Sequence, residues 1–504
     1  MHSSFVLQWC LSGMKWLVGV GTALLALVNA WMPQHAAVPE KLEPAVRASL
    51  DLTPCHLEDL AEEVLCGVHE VYEDRDAASG RRIPVHIAVL PPLRRAAAPD
   101  PLYILAGGPG QGARSYAAIV ARHFKQVRRV RAIVLVDLRG TGASRPLECP
   151  RQDDEIAGLD SSSGPYLGEA RACLAQIDAD PRLYTHAAAL ADLDEIRQRL
   201  GHGQVNLWGG SWGTRAALLY TLGYPHAVRS VVLDGAVSLW EAFPRAVAGN
   251  AERALNLLFG RCAGDRVCAS TFPNPWVDLR AVLMRLERAP VTTTIEQPRT
   301  AQPVPVTLTR DAVVEIVRVA LYTPRDAARL LQAIHHAARG DFGPLAAQYV
   351  HSAWRTTDDM ALGSTMSILC SEDLSLADNE PGRTSSSAIF GHGYADAWKS
   401  RCRVWPKGPP IGLSRHAVSE APALVLSGLH DPVTPPASGE AMGRHFPKHL
   451  HVVVPGAAHN ASFTGCVPEL IATFLEGGAG GLDTGCVAAA PLPPIVVSDA
   501  GGRP

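Results

Sequence analysis

The chain of 504 residues has no dominant charge: 46 lysines and arginines face 49 aspartates and glutamates, and no block of one sign occurs. That balance argues against nucleic acid as a partner, which calls for a basic patch. No Cys-x-x-Cys spacing and no cluster of histidine with cysteine occurs, so no metal centre is expected. The glycine-rich stretches lack both the Lys-Ser/Thr ending of a phosphate loop and the spacing of a dinucleotide fingerprint, and no cofactor is expected. Internal repeats are missing, and low complexity is confined to the Gly-, Ala- and Pro-rich tail after Gly477.

What is present is the pentapeptide Gly209-Gly210-Ser211-Trp212-Gly213, after the apolar run Val205–Trp208 and before the helix-compatible Thr214–Tyr220. A serine on a sharp strand-to-helix turn needs glycine two residues to either side, where side chains would collide with neighbouring backbone. Among 44 glycines a chance match is the bland alternative, and the strand before and helix after argue against it. Serine is a poor nucleophile at neutral pH, so Ser211 requires a histidine base, an acid to orient it and donors for an oxyanion.

Ala423–Gly428 reads as a short strand and puts Asp431 at its C-terminal end. A helix over 437–446, a strand over 450–454 and the loop Pro455–His459 then bring His459 to the same edge. Of 19 histidines only His459 has this setting; His430, His449 and His451 are the nearby decoys. Asp234, ending the apolar run Val231–Leu233, is the runner-up for the acid, with a turn-forming Asp-Gly as its plain reading. The oxyanion donors are expected to be the backbone N–H of Trp212 and one from Gly108, in the glycine loop 106–112 that follows the strand Leu102–Leu105.

Taken in order, Gly107-Gly108-Pro109-Gly110, Val136-Asp137-Leu138-Arg139-Gly140-Thr141-Gly142, the elbow at Ser211, Asp431-Pro432-Val433-Thr434-Pro435 and His459 resemble the α/β-hydrolase peptidases of the proline iminopeptidase and tripeptidyl aminopeptidase family. Ala106 stands where proline iminopeptidases usually carry histidine, so the likeness lies closer to secreted tripeptidyl aminopeptidases. The resemblance implies an α/β-hydrolase fold, with Asp137 and Arg139 bracing loops around the site. It also implies a substrate-binding stretch at Cys370-Ser371-Glu372-Asp373. There Glu372, with or without Asp373, is expected to bind the α-ammonium of a peptide with a free N-terminus; a solvated acidic turn is the alternative.

Met14-Lys15-Trp16, the apolar residues 17–28 and Val28-Asn29-Ala30 read as a secretory signal cleaved after Ala30, with Met14 as a second start. An uncleaved anchor is the other reading. Setting Cys10 aside, ten cysteines remain, an even number that suits disulfides in an oxidising compartment, periplasmic or secreted. Pairing neighbours in order gives short loops: Cys55–Cys66, Cys149–Cys173, Cys262–Cys268, Cys370–Cys402 and Cys466–Cys486, with buried free thiols as the alternative.

The expected architecture is a doubly wound, mostly parallel sheet with an inserted, mainly helical cap. The boundaries are 1–30 signal, 31–238 first part of the core, 239–420 cap, 421–490 second part of the core, and 491–504 a loosely ordered tail. The expected function is a secreted serine exopeptidase acting near a free N-terminus, without a stable membrane span after signal cleavage. An esterase or lipase of the same fold and a non-catalytic binding protein are the competing readings.

Overall fold

The computed structural model describes residues 50–149, 166–238, 243–296, 301–348, 350, 360–374, 389–391, 393–410 and 416–499; the expected signal at 1–30 lies outside them. Short, mostly apolar runs form one nine-stranded sheet. Its order is β1 (Thr53–Cys55), β2 (Val64–Tyr72), β3 (Arg82–Leu90), β5 (Ile133–Val136), β4 (Leu102–Leu105), β6 (Val205–Gly210), β7 (Val228–Asp234), β10 (Ala423–Gly428) and β11 (His449–Val454). The first four strands in this order pair antiparallel. From β5 through β4 to β11 every pairing is parallel.

Parallel strands buried on both faces are apolar at every position, and here alternate residues divide between two cores. Tyr103, Leu105, Val134, Leu207 and Val231 pack on one side; Leu102, Ile104, Leu135, Trp208 and Val232 pack on the other. The C-terminal ends of β4, β6, β7, β10 and β11 consequently share one edge, where the loops of interest emerge.

Between β7 and β10 the chain builds a separate core. Helices Phe243–Gly264, Pro275–Arg288, Arg310–Ala320 and Pro324–Ala338 pack through Leu255, Leu279, Val313, Leu330 and Ile334, beside the antiparallel hairpin β8 (Val291–Glu296) and β9 (Pro303–Leu308). The last of these helices follows its caps: the Thr323 hydroxyl accepts from the Asp326 N–H, Pro324 opens the helix Pro324–Ala338, and Gly340 at φ +100° follows its end. The remainder of the insertion packs elsewhere. Helix Leu362–Ile368, the π-helical turn Leu369–Asp373 and helix Gly393–Cys402 share a cluster with Trp212, Val237 and Cys173. The 239–420 span thus holds two packing units, one of them continuous with the sheet's own loops.

All five disulfides pair neighbours in order: Cys55–Cys66, Cys149–Cys173, Cys262–Cys268, Cys370–Cys402 and Cys466–Cys486. The tail departs from expectation. Through residue 499 it runs onto the inserted helices: Ile495 is buried in their core, the Val496 N–H donates to the Ala328 carbonyl at 2.9 Å, and Gln332 donates to Asp499 at 2.6 Å. Its alternating apolar residues, Ile495 and Val497, find a surface that composition alone did not reveal. Among the described residues no helix is long and apolar enough to cross a membrane.

Candidate active site

Ser211 sits between β6 and helix Trp212–Gly223 at φ +53°, ψ −120°, a conformation non-glycine residues rarely adopt. A Cβ on Gly213 would run into the Leu105 carbonyl and one on Gly209 into the Gly213 carbonyl, so the turn closes only with glycine at both places. Trp212 opens the helix, and the first N–H groups of an α-helix point out of its N-terminal end. The loop after β4 presses close: a Cβ on Gly107 would stand 3.2 Å from Ser211 Cβ.

Asp431 and His459 meet at the same sheet edge. Asp431 is fully buried; its Oδ1 accepts from the Val433 and Thr434 N–H groups at 2.8 Å each, and its Oδ2 accepts from the Thr434 hydroxyl and from His459 Nδ1, both at 2.8 Å. Burial pushes the Asp431 pKa up, but the His459 charge and these hydrogen bonds outweigh it and hold the carboxyl below its ordinary range. Burial likewise pulls the His459 pKa down, and the Asp431 charge and hydrogen bond more than reverse this. Asp234 adds to the rise and Arg318 opposes it. With Nδ1–H committed to Asp431, the imidazole keeps Nε2 as a proton acceptor.

Asp234 does not bond the imidazole. Its carboxylate accepts from the Ala461 and Ser462 N–H groups at 2.7 and 2.8 Å, just past His459, while its carbonyl takes the Ser211 N–H at 2.7 Å. It therefore ties the serine turn to the histidine loop, and burial pushes its pKa up to about 6 against those N–H donors. A Cβ on the next residue, Gly235, would lie 3.2 Å from His459 Cε1. Two of the decoys have their rings engaged elsewhere: His451 Nε2 with the Ser427 hydroxyl at 2.9 Å and His449 Nδ1 with the Phe446 carbonyl at 2.7 Å.

A family profile described as alpha/beta hydrolase fold matches residues 100–271, and one described as TAP-like protein matches residues 386–486. The chain has the α/β-hydrolase fold. Among curated proteins the hydrolase is 27% identical over 487 residues to the serine protease Hip1 of Mycobacterium tuberculosis, covering 86% of this chain and 90% of that protein. It is also 28% identical over 211 residues to a proline iminopeptidase of Neisseria meningitidis, covering 37% of this chain and 56% of that protein. A crystal structure of proline iminopeptidase from Mycobacterium smegmatis superposes over 82% of this chain and 98% of that one, with TM-score 0.40 and 17% identity.

Within the hydrolase, Asp137 and Arg139 brace loops as the resemblance implied. Asp137 accepts from the Arg114 and Ala143 N–H groups. Buried Arg139 clamps Asp192 with two nitrogens, at 2.6 and 2.9 Å, and donates to the carbonyls of Tyr72, Glu73 and Leu183. Glu372 and Asp373 require a correction. Neither is a solvated turn, and neither carboxylate stands open to a substrate ammonium. Glu372, 2% exposed, takes the His186 N–H at 3.1 Å on one oxygen and the His186 ring on the other; Asp373 is fully buried and paired with Arg215 at 2.8 Å. Burying a charge is costly unless it is paired, so each carboxylate turns inward to its cation or donor.

Residues that motif reading missed come from the insertion. The Tyr322 carbonyl accepts the His459 N–H at 3.1 Å and its ring stands edge-on to the imidazole, centroids 5.2 Å apart. Arg318 donates to the Tyr322 hydroxyl at 2.8 Å. Arg253 donates to the carbonyls of Leu429 and Asp431, and Asn250 to that of Val433. The sequence indicated a mainly helical insertion; which of its polar residues face the loops depends on how the insertion docks.

Proposed function

We propose that this α/β-hydrolase is an extracytoplasmic serine exopeptidase that releases short peptides or single residues from a free N-terminus. Ser211 is the nucleophile, His459 the base and Asp431 its orienting acid. The backbone N–H groups of Trp212 and Gly108 receive the oxyanion, and the insertion is a cap limiting access. Ser211 Oγ attacks the scissile carbonyl as His459 Nε2 takes its proton, and the oxygen gathers charge against the two N–H donors. The imidazolium then protonates the departing amine. Water, deprotonated in turn by His459, hydrolyses the acyl-enzyme, and no cofactor is required.

The observation that carries this reading is the buried Asp431–His459 pair at 2.8 Å, linked through Asp234 to a serine held at positive φ. Peptide bonds as substrates are supported by the similarity to a serine protease over most of the chain and by the TAP-like C-terminal match. Five disulfides support an oxidising compartment.

The test is release of aminomethylcoumarin from N-terminally free Pro, Ala, Ala-Ala and Ala-Ala-Pro conjugates beside a p-nitrophenyl acyl ester, with wild type and Ser211→Ala. Cleavage of the tripeptide above the others, abolished in the variant, is the expected result. Turnover of the ester alone would make the protein an esterase; the absence of Ser211-dependent reaction with a fluorophosphonate would make it a binding protein.

A further inference from the structure

The side chain of Trp212 is held on its edge and on its face by groups the proposed chemistry leaves unused. Its indole Nε1–H donates to His186 Nε2 at 3.1 Å, with the two ring planes 17° apart. His186 opens the helix His186–Arg199, and both its backbone N–H and its ring Nδ1 go to the Glu372 carboxylate. Because Nε2 accepts from the indole, the ring proton resides on Nδ1 and is donated to Glu372. Over the indole face lies the Arg215 guanidinium, 4.2 Å from the ring centroid and paired with Asp373. Adjacent carboxylates on one π-helical turn therefore immobilise the side chain of the residue that follows the nucleophile. Single π-helical turns are concentrated at functional sites.

The same stretch of insertion grips the glycine loop. The Ala361 N–H donates to the Gly110 carbonyl at 3.0 Å, and the Thr365 hydroxyl donates to the Pro109 carbonyl. Gln111 bridges to Met360. Both backbone segments assigned to the oxyanion are thus fastened to residues 360–373.

We propose that Glu372 and His186 are positioning residues: the Glu372–His186–Trp212 chain fixes the indole, and with it the strained turn and the Trp212 N–H, at the place where the oxyanion forms. This rests on the serine hydrolase reading above. A donor aimed at developing charge acts through preorganisation, so loosening the indole lowers the rate of acylation while leaving ground-state binding nearly untouched. An ammonium ligand would do the opposite, raising KM for free-amine substrates and sparing reactions that need no ammonium.

The experiment measures two quantities on the full chain: the rate of Ser211 phosphonylation by a fluorophosphonate, which carries no amine, and kcat and KM for Ala-Ala-Pro-aminomethylcoumarin. The proteins are wild type, Glu372→Gln, Trp212→Phe and the double variant. Glu372→Gln is expected to slow phosphonylation and kcat by about tenfold or more with KM within about threefold of wild type. Trp212→Phe, which keeps a ring but removes the indole N–H, is expected to lose a similar factor. In that background Glu372→Gln is expected to cost less than about twofold more, since the two act through one chain. Wild-type phosphonylation in Glu372→Gln overturns the proposal, and does so in favour of an ammonium ligand if KM for the free amine alone has risen. Additive losses in the double variant overturn it as well. If Glu372→Gln does not fold, an undiminished rate in Trp212→Phe is sufficient to reject it. A wild type that never reacts overturns the serine hydrolase reading and this proposal together, and so is distinguishable from failure of the proposal alone.

Discussion

At the scale of single residues, the raised pKa of His459 sets the pH dependence. Acylation needs the neutral imidazole, so the acid limb of kcat/KM is expected above the ordinary histidine value of about 6.5. Asp431→Asn removes the charge that causes the rise; the limb is expected to move to lower pH and kcat to fall by about 10⁴. A pH-rate profile of both proteins checks this, and a wild-type limb at or below 6.5 would contradict the assigned cause. The linkage to stability runs in opposite senses for the two partners. His459, raised on folding, stabilises fully below its unfolded pKa, and this contribution is lost as pH climbs through its folded value. Asp431, lowered on folding, stabilises above its unfolded pKa, and that is lost as pH falls through its folded value. At this scale the turn at Ser211 and the strand-end positions of Asp431 and His459 were legible because steric and positional demands restrict the residue types: glycine around a turn at positive φ, and carboxylate and imidazole just past strand ends. Glu372 and Asp373 were legible only as charges. Whether a carboxylate faces substrate or an internal partner depends on His186 and Arg215, far away in sequence.

Among elements, the insertion touches both partners of the Asp431–His459 pair. Helix Phe243–Gly264 sends Arg253 to the Leu429 and Asp431 carbonyls at 3.0 and 2.9 Å, and Asn250 to the Val433 carbonyl at 2.7 Å. The residues just before helix Pro324–Ala338 supply Tyr322 to His459. These helices hold the loop that carries Asp431. Replacing Arg253 by Met keeps the apolar stem and removes the donors, and it is expected to lower kcat by about tenfold through displacement of that loop. Steady-state kinetics beside a thermal melt checks the point: an unchanged kcat would show that Val433, Thr434 and the strand suffice. That the insertion is mainly helical was legible, and Thr323-Pro324 and Gly340 mark both ends of one of its helices. Their docking was not, because an apolar stripe says that a face is buried without saying against what.

For the whole molecule, the C-terminal segment connects the last helix of the sheet layer to the insertion. It leaves helix Val467–Gly477, passes the Cys466–Cys486 disulfide and ends on the helices around Ile495. Along the way Arg261 donates to the Pro493 carbonyl and the Val496 N–H to that of Ala328. Removing residues 493–504 is expected to lower the unfolding midpoint by about 2–4 °C, from the lost burial of one isoleucine and its neighbours. Limited proteolysis should then cut first within 243–338. Calorimetry and mass spectrometry of the fragments would expose the opposite case, a tail removed without effect.

The strands around the site, the serine turn, the strand-end loops carrying Asp431 and His459 and the neighbour-to-neighbour pairing of the cysteines were legible in the sequence itself. Each rests on local sterics, on periodicity or on short chain separation, and those are written residue by residue. Tertiary structure alone decided that 239–420 divides between two cores, that the tail seats on the insertion, and that Glu372 and Asp373 turn inward to hold Trp212. Those outcomes depend on which surfaces meet and which buried charges find partners across more than a hundred residues, and no local pattern encodes that choice.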